Sequence, residues 1–591
     1  MPVRLIFYPM AMDGSTRGVL FEGGAIWTGD PGGPRATALA VERGWIAAVG
    51  ETADLRDAFP HFARVSLNGC AVLPAFTDSH IHFAAFGLAL RQVELRTCRS
   101  LREAVDAVAS AARTSRAGEW IRGRGWDKNL WPEGRFPRKD DLDPVTGEHP
   151  AIFMSKDGHA AWVNSAALAR AGVTRATPDP EGGTIVRDTR TGEPTGLLAE
   201  RAVYPVIALA GRPSPEALEA AIQDATAAAH RAGIAGVHVV EGGDVFSAFQ
   251  RLRDRGALGV RVCMIIPEEA LDAAIALGIR SGLGDACVRV GGVKIFSDGA
   301  LGSQTASLLE PYEGQPNNSG VVVRTQAQLH ELARRASSHG IAVAIHAIGD
   351  RANRWALDAL EAARPETIRW GLRHRIEHVQ LLHPDDLPRL AAFDVIASMQ
   401  PIHCTQDRDI ADRYWGARGR YAYAFRSLLR CGTRLTFGSD APVETLDVLT
   451  GVYAAVTRKR REEPHRPAWY PEESLTVEEA VRAYTDAPAY AAGEEKIKGR
   501  LARGYVADFV ALSRDPLTVP PDCLPDIRVM LTVVGGEVRY SASSGTRLSS
   551  VSSSETSATE PSASSPAGGS DSSGNSPSSN PVSSFSTRVS S

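Results

Sequence analysis

A chain of 591 residues with 65 Lys and Arg against 69 Asp and Glu carries a formal net charge of -4. It has no surplus of positive charge for holding nucleic acid or an anionic membrane. Its length exceeds the about 250 residues of a single barrel, leaving room for a large core and a further domain. The seven cysteines are scattered, odd in number and without close pairs, which argues against a disulfide framework and for a reducing compartment. The apolar stretch before Asp13 is too short for a signal peptide, and no later run reaches the length of a membrane span. A soluble cytoplasmic protein acting on a small-molecule substrate is expected, with self-association left open and neither nucleic acid nor membrane as partner.

In chain order, Val19–Trp27 and Gly44–Gly50 read as short strands between turns, and a second such set appears late, at Ala507–Leu512 and Val529–Val538. Orphan strands at both ends, neither able to bury a face alone, are expected to pair into one small composite β-sandwich from residues 1–70 and 495–540. Between them, over residues 71–494, strand and helix patterns alternate. The apolar run leading to His80 is the first strand. The following ones are Gly236–Glu241, Arg261–Ile266, the runs holding Lys294, His346 and His378, then Val395–Gln400 and Leu435–Gly438. That makes eight, the number a (β/α)8 TIM barrel of the α/β class needs. Asp350 reads as the N-cap of a helix from Arg351 to Ala363.

Residues about 98–205 do not fit the count, because Trp120–Trp126 and Ala151–Ser155 add strands between barrel strands one and two. They are expected to form an inserted lid subdomain. Residues 541–591 are rich in serine with hardly any large apolar residue, a composition that cannot bury enough surface to order itself. A disordered tail is expected there.

The chemistry-bearing residues fall at strand ends. His80 and His82 stand two apart on a strand, so both imidazoles project to one side and could hold one metal ion. Lys294, His346, His378 and Asp440 each end a short β-like run as well. On a barrel, the C-terminal strand ends carry the chemistry, so these residues describe a single site.

Taken together, Phe76-Thr77-Asp78-Ser79-His80-Ile81-His82, the run Lys294 to Ser303, His346-Ala347-Ile348-Gly349-Asp350, Arg375-Ile376-Glu377-His378, Ser398-Met399-Gln400-Pro401 and Gly438-Ser439-Asp440-Ala441-Pro442 resemble the metal-dependent amidohydrolase superfamily. The resemblance, over residues 19–540, is to its YtcJ-like branch (amidohydrolase family 3), which includes N-substituted formamide deformylases. It departs at Pro74-Ala75, where the family usually has Pro-Gly, and at Val239, where many relatives have an acidic residue.

The resemblance implies one metal on His80, His82 and Asp440, a second on His346 and His378, and a bridging Lys294 carbamylated by carbon dioxide. Two zinc ions per chain suit the imidazole-rich set, with other transition metals open. It further implies hydrolysis of a non-peptide carbon–nitrogen bond, an amide or formamide, through a metal-bound hydroxide, with Asp440 as the catalytic proton carrier. The alternatives are an esterase, lactonase or deaminase on the same site, or a non-catalytic metal-binding relative. His159, Trp126 and His403 are candidate substrate contacts, while His238, His374 and Glu377 read as structural or supporting residues.

Overall fold

The computed structural model describes residues 18–542 apart from positions 31, 32, 34, 117, 157, 159, 181, 182 and 212. Of the tail expected over 541–591, Ser541 instead ends the strand Glu537–Ser541, and residues 543–591, like the candidate His159, lie outside the described residues. No helix among the described residues is long and apolar enough to cross a membrane.

Eight parallel strands form the central sheet in the order of the chain: Phe76–Ile81, Ile234–Val240, Arg261–Pro267, Val288–Phe296, Val343–Ala347, Arg375–His378, Ile396–Met399 and Leu435–Phe437. All eight expected barrel strands are present. The ladder runs unbroken from the first to the eighth. Closure between the eighth and the first is made at their C-terminal ends, where Asp440 N–H donates to the His80 carbonyl at 2.7 Å and His82 N–H to the Ala441 carbonyl at 3.0 Å.

The Asp78 carboxylate completes that seam by accepting from Ser439 N–H at 3.0 Å, the Ser439 hydroxyl at 2.5 Å and His80 N–H at 3.1 Å. Gly438 has to be glycine here, since a Cβ would come within 2.5 Å of the His80 nitrogen and 2.7 Å of Asp78 Oδ1. Burial pushes the Asp78 carboxyl up to about 6 against these hydrogen bonds.

Strand residues alternate faces, and the sequence follows that period. Ile295, Ile345, Ile376, Ala397 and Phe437 are buried in the continuous apolar core. Lys294, His346, Glu377, Ser398 and Thr436 occupy the alternate positions, with His346 opposite Glu377, Glu377 opposite Ser398 and Ser398 opposite Thr436. The polar residues of the motifs therefore share the barrel interior.

The chain ends pair as expected of a composite β-sandwich. Their strands follow one hydrogen-bonded path, Glu537–Ser541, Val529–Val534, Phe509–Leu512, Ala71–Pro74, Val19–Ile26, Ala36–Glu42 and Trp45–Gly50, with Ala63–Ser66 also on Val19–Ile26. Phe21 and Phe509, two strands apart on this path, meet edge to face with ring centroids 4.9 Å apart in its core. The path includes Ala71–Pro74, so the sheet extends slightly beyond the residue 70 boundary read from sequence. A buried ion pair, Arg261 with Asp508, ties it to the third barrel strand.

The insertion between barrel strands one and two is a separate six-stranded sheet, ordered Gly183–Arg187, Pro194–Glu200, Ala160–Val163, Ala151–Ser155, Ile121–Trp126 and Val93–Glu94. Its own core holds Leu101, Val108, Trp131, Phe153 and Trp162. Asp350 differs from expectation by one position: the helix spans Asp350–Ala362 and Gly349 is its N-cap. A Cβ on Gly349 would meet the Ser307 carbonyl at 2.0 Å, so that close approach excludes a side chain at the cap. The Asp350 carboxylate reaches Leu309 N–H instead.

Candidate metal centre

Four imidazoles from three barrel strands converge at the C-terminal end of the barrel. Ring centroids of His80 and His82 are 5.8 Å apart, of His80 and His378 5.0 Å, and of His346 and His378 4.6 Å. His80 is the penultimate residue of the first strand, and His82, just past its last residue Ile81, is the N-cap of helix Phe83–Ala89.

Each ring is held through one nitrogen by an oxygen acceptor. His80 Nδ1 donates to Glu377 Oε2 at 2.5 Å, His82 Nδ1 to the Val240 carbonyl at 2.8 Å, His378 Nδ1 to Gln400 Oε1 at 2.9 Å, and His346 Nε2 to the Gly299 carbonyl at 3.0 Å. The acceptors fix the tautomers and leave the second nitrogen of the His80, His346 and His378 rings with its lone pair, the arrangement that orients metal-ligating histidines.

Asp440 faces this cluster from the end of the eighth strand. Its Oδ1 lies 3.3 Å from His82 Nε2 and 3.5 Å from His80 Nε2, while its Oδ2 points toward His403 Nε2 at 4.0 Å. Two donor groups form here, His80–His82–Asp440 and His378–His403–Asp440, with ligand atoms within 4.8 Å of one another in each.

Backbone conformation puts two of these groups in place. Glu377 and His378 are adjacent, so on a regular strand they would face opposite ways. His378 instead has φ of 74°, followed by Val379 at 44°, and Asp440 has φ of 56°. Left-handed backbone at residues other than glycine costs about 1–3 kcal/mol each and gathers at functional sites.

Electrostatics suit metal binding. Burial, with Lys294 nearby, pushes His346 down to about 3, and His378 and His80 are likewise lowered by burial. These imidazoles are neutral at physiological pH, the form that binds metal. Burial opposes ionisation of Asp440, but the surrounding imidazoles outweigh it and hold the carboxyl well below its usual range. For His82 the Asp440 carboxylate overcomes burial and raises the imidazole.

Lys294 is 2% exposed on the fourth strand. It is in no ion pair among the described residues, and its nitrogen stands 5.1 Å from the Phe296 ring centroid. Burial pushes its amine down to about 8, although Glu377 and Asp440 pull the other way. Asp298, four residues on, does not pair with it. That carboxylate accepts from Ser307 N–H, Ile348 N–H and Gly349 N–H, and burial raises it to about 7.

The metal-ligand candidates His80, His82, Lys294, His346, His378 and Asp440 are thus brought together. His403, expected as a substrate contact, stands with them: its ring is near-parallel to His378 at 6.4 Å. Trp126 packs within the insertion, its carbonyl accepting from Lys156 N–H at 2.9 Å. Its indole is 3% exposed in the insertion core, Nε1 donating to the Phe153 carbonyl at 2.8 Å and the ring packing on Trp131. An aromatic beside glycines fits a pocket wall or a core equally well in sequence, and here the ring packs against Trp131.

Glu377 proves to support His80 directly, with Arg375 on its far side. Sequence reading assigned no role to Gln400, which holds His378, or to Asp78, which closes the barrel; each lies within a quoted motif. Phe296, 46% exposed and 5.3 Å from the His346 ring, gives the mouth an apolar wall.

The donor set of clustered imidazoles, each held through one nitrogen, together with an ionised carboxylate fits a divalent transition metal. Residues 64–540 match the family model described as amidohydrolase family, and residues 38–61 match a bacterial imidazolonepropionase-like composite domain. The chain is 35% identical over 537 residues to the putative amidohydrolase YtcJ of Bacillus subtilis, covering 89% of this chain and 99% of that protein. It is 29% identical over 540 residues to the N-substituted formamide deformylase of Arthrobacter pascens, covering 85% and 95%. An uncharacterized metal-dependent hydrolase from Pyrococcus furiosus aligns structurally with a TM-score of 0.71 at 30% identity, covering 85% of this chain and all of that one. The chain belongs to the amidohydrolase family and is a metal-dependent hydrolase.

Proposed function

We propose that the protein hydrolyses a non-peptide carbon–nitrogen bond, an amide or N-substituted formamide, in a small molecule. The observation that carries this reading is that four imidazoles are each fixed through one nitrogen and offer the other to a common centre beside Asp440. His80, His82 and Asp440 would hold one ion and His346 and His378 a second, zinc being the metal that best suits imidazole and carboxylate together. Bound there, such an ion lowers the pKa of a ligated water from about 15.7 to about 7 and polarises the scissile carbonyl.

The chain's own residues supply the rest. Lys294, with its amine lowered to about 8, keeps a minor neutral fraction near physiological pH that an unshifted lysine lacks, and only the neutral amine adds to carbon dioxide. The nitrogen lone pair forms the new bond to carbon as one carbon–oxygen π bond opens, one proton leaves to solvent, and the anionic carbamate so formed would offer an oxygen to the metal that the histidines hold. Asp440 directs Oδ1 to the histidines and keeps Oδ2 free on the side of His403. From there it can take the proton of the attacking water and return it to the departing amine, which as an anion is too poor a leaving group.

Elemental analysis of the purified protein, together with a screen of N-formyl and N-acyl amines, tests the reading. Stoichiometric transition metal and amine release abolished by chelation are expected. A metal-loaded protein that cleaves esters or lactones and no amide would overturn it.

A further inference from the structure

Helix Pro401–Trp415, which follows the seventh barrel strand, carries His403 and Asp407 one turn apart on one face. His403 is 7% exposed, and neither of its ring nitrogens has a hydrogen-bond partner among the described residues. Buried polar groups are ordinarily satisfied, so an imidazole with two open nitrogens beside the metal-ligand candidates is available to a partner that a ligand brings. Its Nε2 is 4.0 Å from Asp440 Oδ2, which places it at the edge of the metal-ligand cluster.

Two half-buried carboxylates stand within electrostatic reach of His403. Asp407 accepts the Tyr423 hydroxyl at 2.6 Å and is in no ion pair among the described residues. Glu444, four residues beyond Asp440 in the loop after the eighth strand, is likewise in none. His403 and Lys156 act electrostatically on both carboxylates, and Asp407 acts on Glu444. Lys156 comes from the loop after insertion strand Ala151–Ser155, so barrel and insertion both contribute.

The remaining cations in reach are matched elsewhere. Arg96 pairs with Glu94 at 3.7 Å and donates to the Pro442 and Val443 carbonyls. Arg460 pairs with Asp409 at 3.0 Å and Glu463 at 3.4 Å. Two carboxylates against the single exposed Lys156 leave the surroundings of His403 with excess negative charge.

We propose that His403, Asp407 and Glu444 form a substrate subsite that takes a protonated amine carried a short distance from the scissile carbonyl. One of the open His403 nitrogens accepts a hydrogen bond from that ammonium. A carboxylate in a partly desolvated recess attracts a cation far more strongly than it would in water, whereas a neutral isostere leaves both acids without a partner. The proposal rests on the hydrolase reading for cleavage, but its binding component stands apart from it.

The test uses the metal-loaded full chain. Ligand-observed NMR titration should show n-butylammonium binding at least tenfold tighter than n-butanol, an advantage that Glu444→Gln and Asp407→Asn each reduce at least fivefold without changing the melting temperature. If Glu444→Gln does not fold, Asp407→Asn, whose amide oxygen still accepts the Tyr423 hydrogen bond, carries the comparison. Equal binding of the two probes in the unaltered protein, or an ammonium preference untouched in a folded variant, overturns the subsite. In parallel, N-formyl-1,4-diaminobutane should be cleaved with a kcat/KM at least tenfold above that of N-formylpentylamine. Selective ammonium binding with neither formamide cleaved would retain the subsite and reject the formamidase reading.

Discussion

Glu377 accepts the Nδ1 proton of His80 at 2.5 Å while its other oxygen is held by Arg375, and the residue directly after it, His378, turns its ring to the opposite side of the same centre. One short strand thereby supplies a metal-ligand candidate and the support for another. Glu377 is fully buried, and Arg375 overcomes the burial penalty to hold its carboxyl well below the usual range.

Replacing Glu377 by Gln keeps the shape but removes the charge that orients His80 and neutralises Arg375. Metal affinity should fall about 10- to 100-fold, the usual cost of losing a partner behind a ligating histidine. The buried guanidinium left unpaired should cost roughly 3–5 kcal/mol of stability. Chelator competition and urea unfolding read the two effects separately, and unchanged metal affinity would remove Glu377 from the site.

Lys294 offers a pH-dependent handle. Below about 8 its amine gains a proton and cannot add to carbon dioxide. Activation of the metal-free protein by metal and bicarbonate should therefore accelerate as pH rises toward 8 and level off above it, at fixed dissolved carbon dioxide. Lys294→Ala should be nearly inactive and partly restored by short carboxylic acids. An activation rate that falls as pH rises from 6 to 8, under the same control of carbon dioxide, would reject the carbamate.

The Trp126 indole belongs to the insertion core. Trp126→Ala should cost roughly 3–5 kcal/mol, the range for deleting a buried aromatic. Trp126→Phe should cost less and leave kcat/KM within about twofold, because the indole contacts Phe153 and Trp131 rather than the metal-ligand candidates. A large kcat loss in a folded Phe variant would return Trp126 to the pocket.

The contrast between His80 and Trp126 shows what could be read from residues alone. A strand end has a signature, an apolar run stopping at a polar residue, and eight such runs at barrel spacing locate His80, Lys294, His346, His378 and Asp440 on one rim. Nothing in that pattern encodes the backbone turn at His378, which places two consecutive side chains in one site. Nor does it encode the rotation of Trp126 into the insertion, which depends on Trp131 and Phe153, or the Gln400 amide behind His378. Composition and period report which face a residue takes, whereas these three depend on contacts between segments distant in sequence.

Asp440 divides its two oxygens between tasks, and the division is testable. Oδ1 approaches His82 and His80, and Oδ2 lies toward His403, 4.0 Å away. Asp440→Asn retains one oxygen for the metal but cannot accept a proton at neutral pH. Metal content should largely persist while kcat falls by roughly 10²- to 10⁴-fold, the contribution of general acid–base catalysis. Protonation matters most when the leaving nitrogen is strongly basic, so amides of alkylamines should lose most and amides of weakly basic anilines least. A plot of log kcat against the leaving-group pKa should consequently be steeper for the variant than for the unaltered enzyme. Parallel plots with metal retained would show that Asp440 does not deliver the proton to the departing amine.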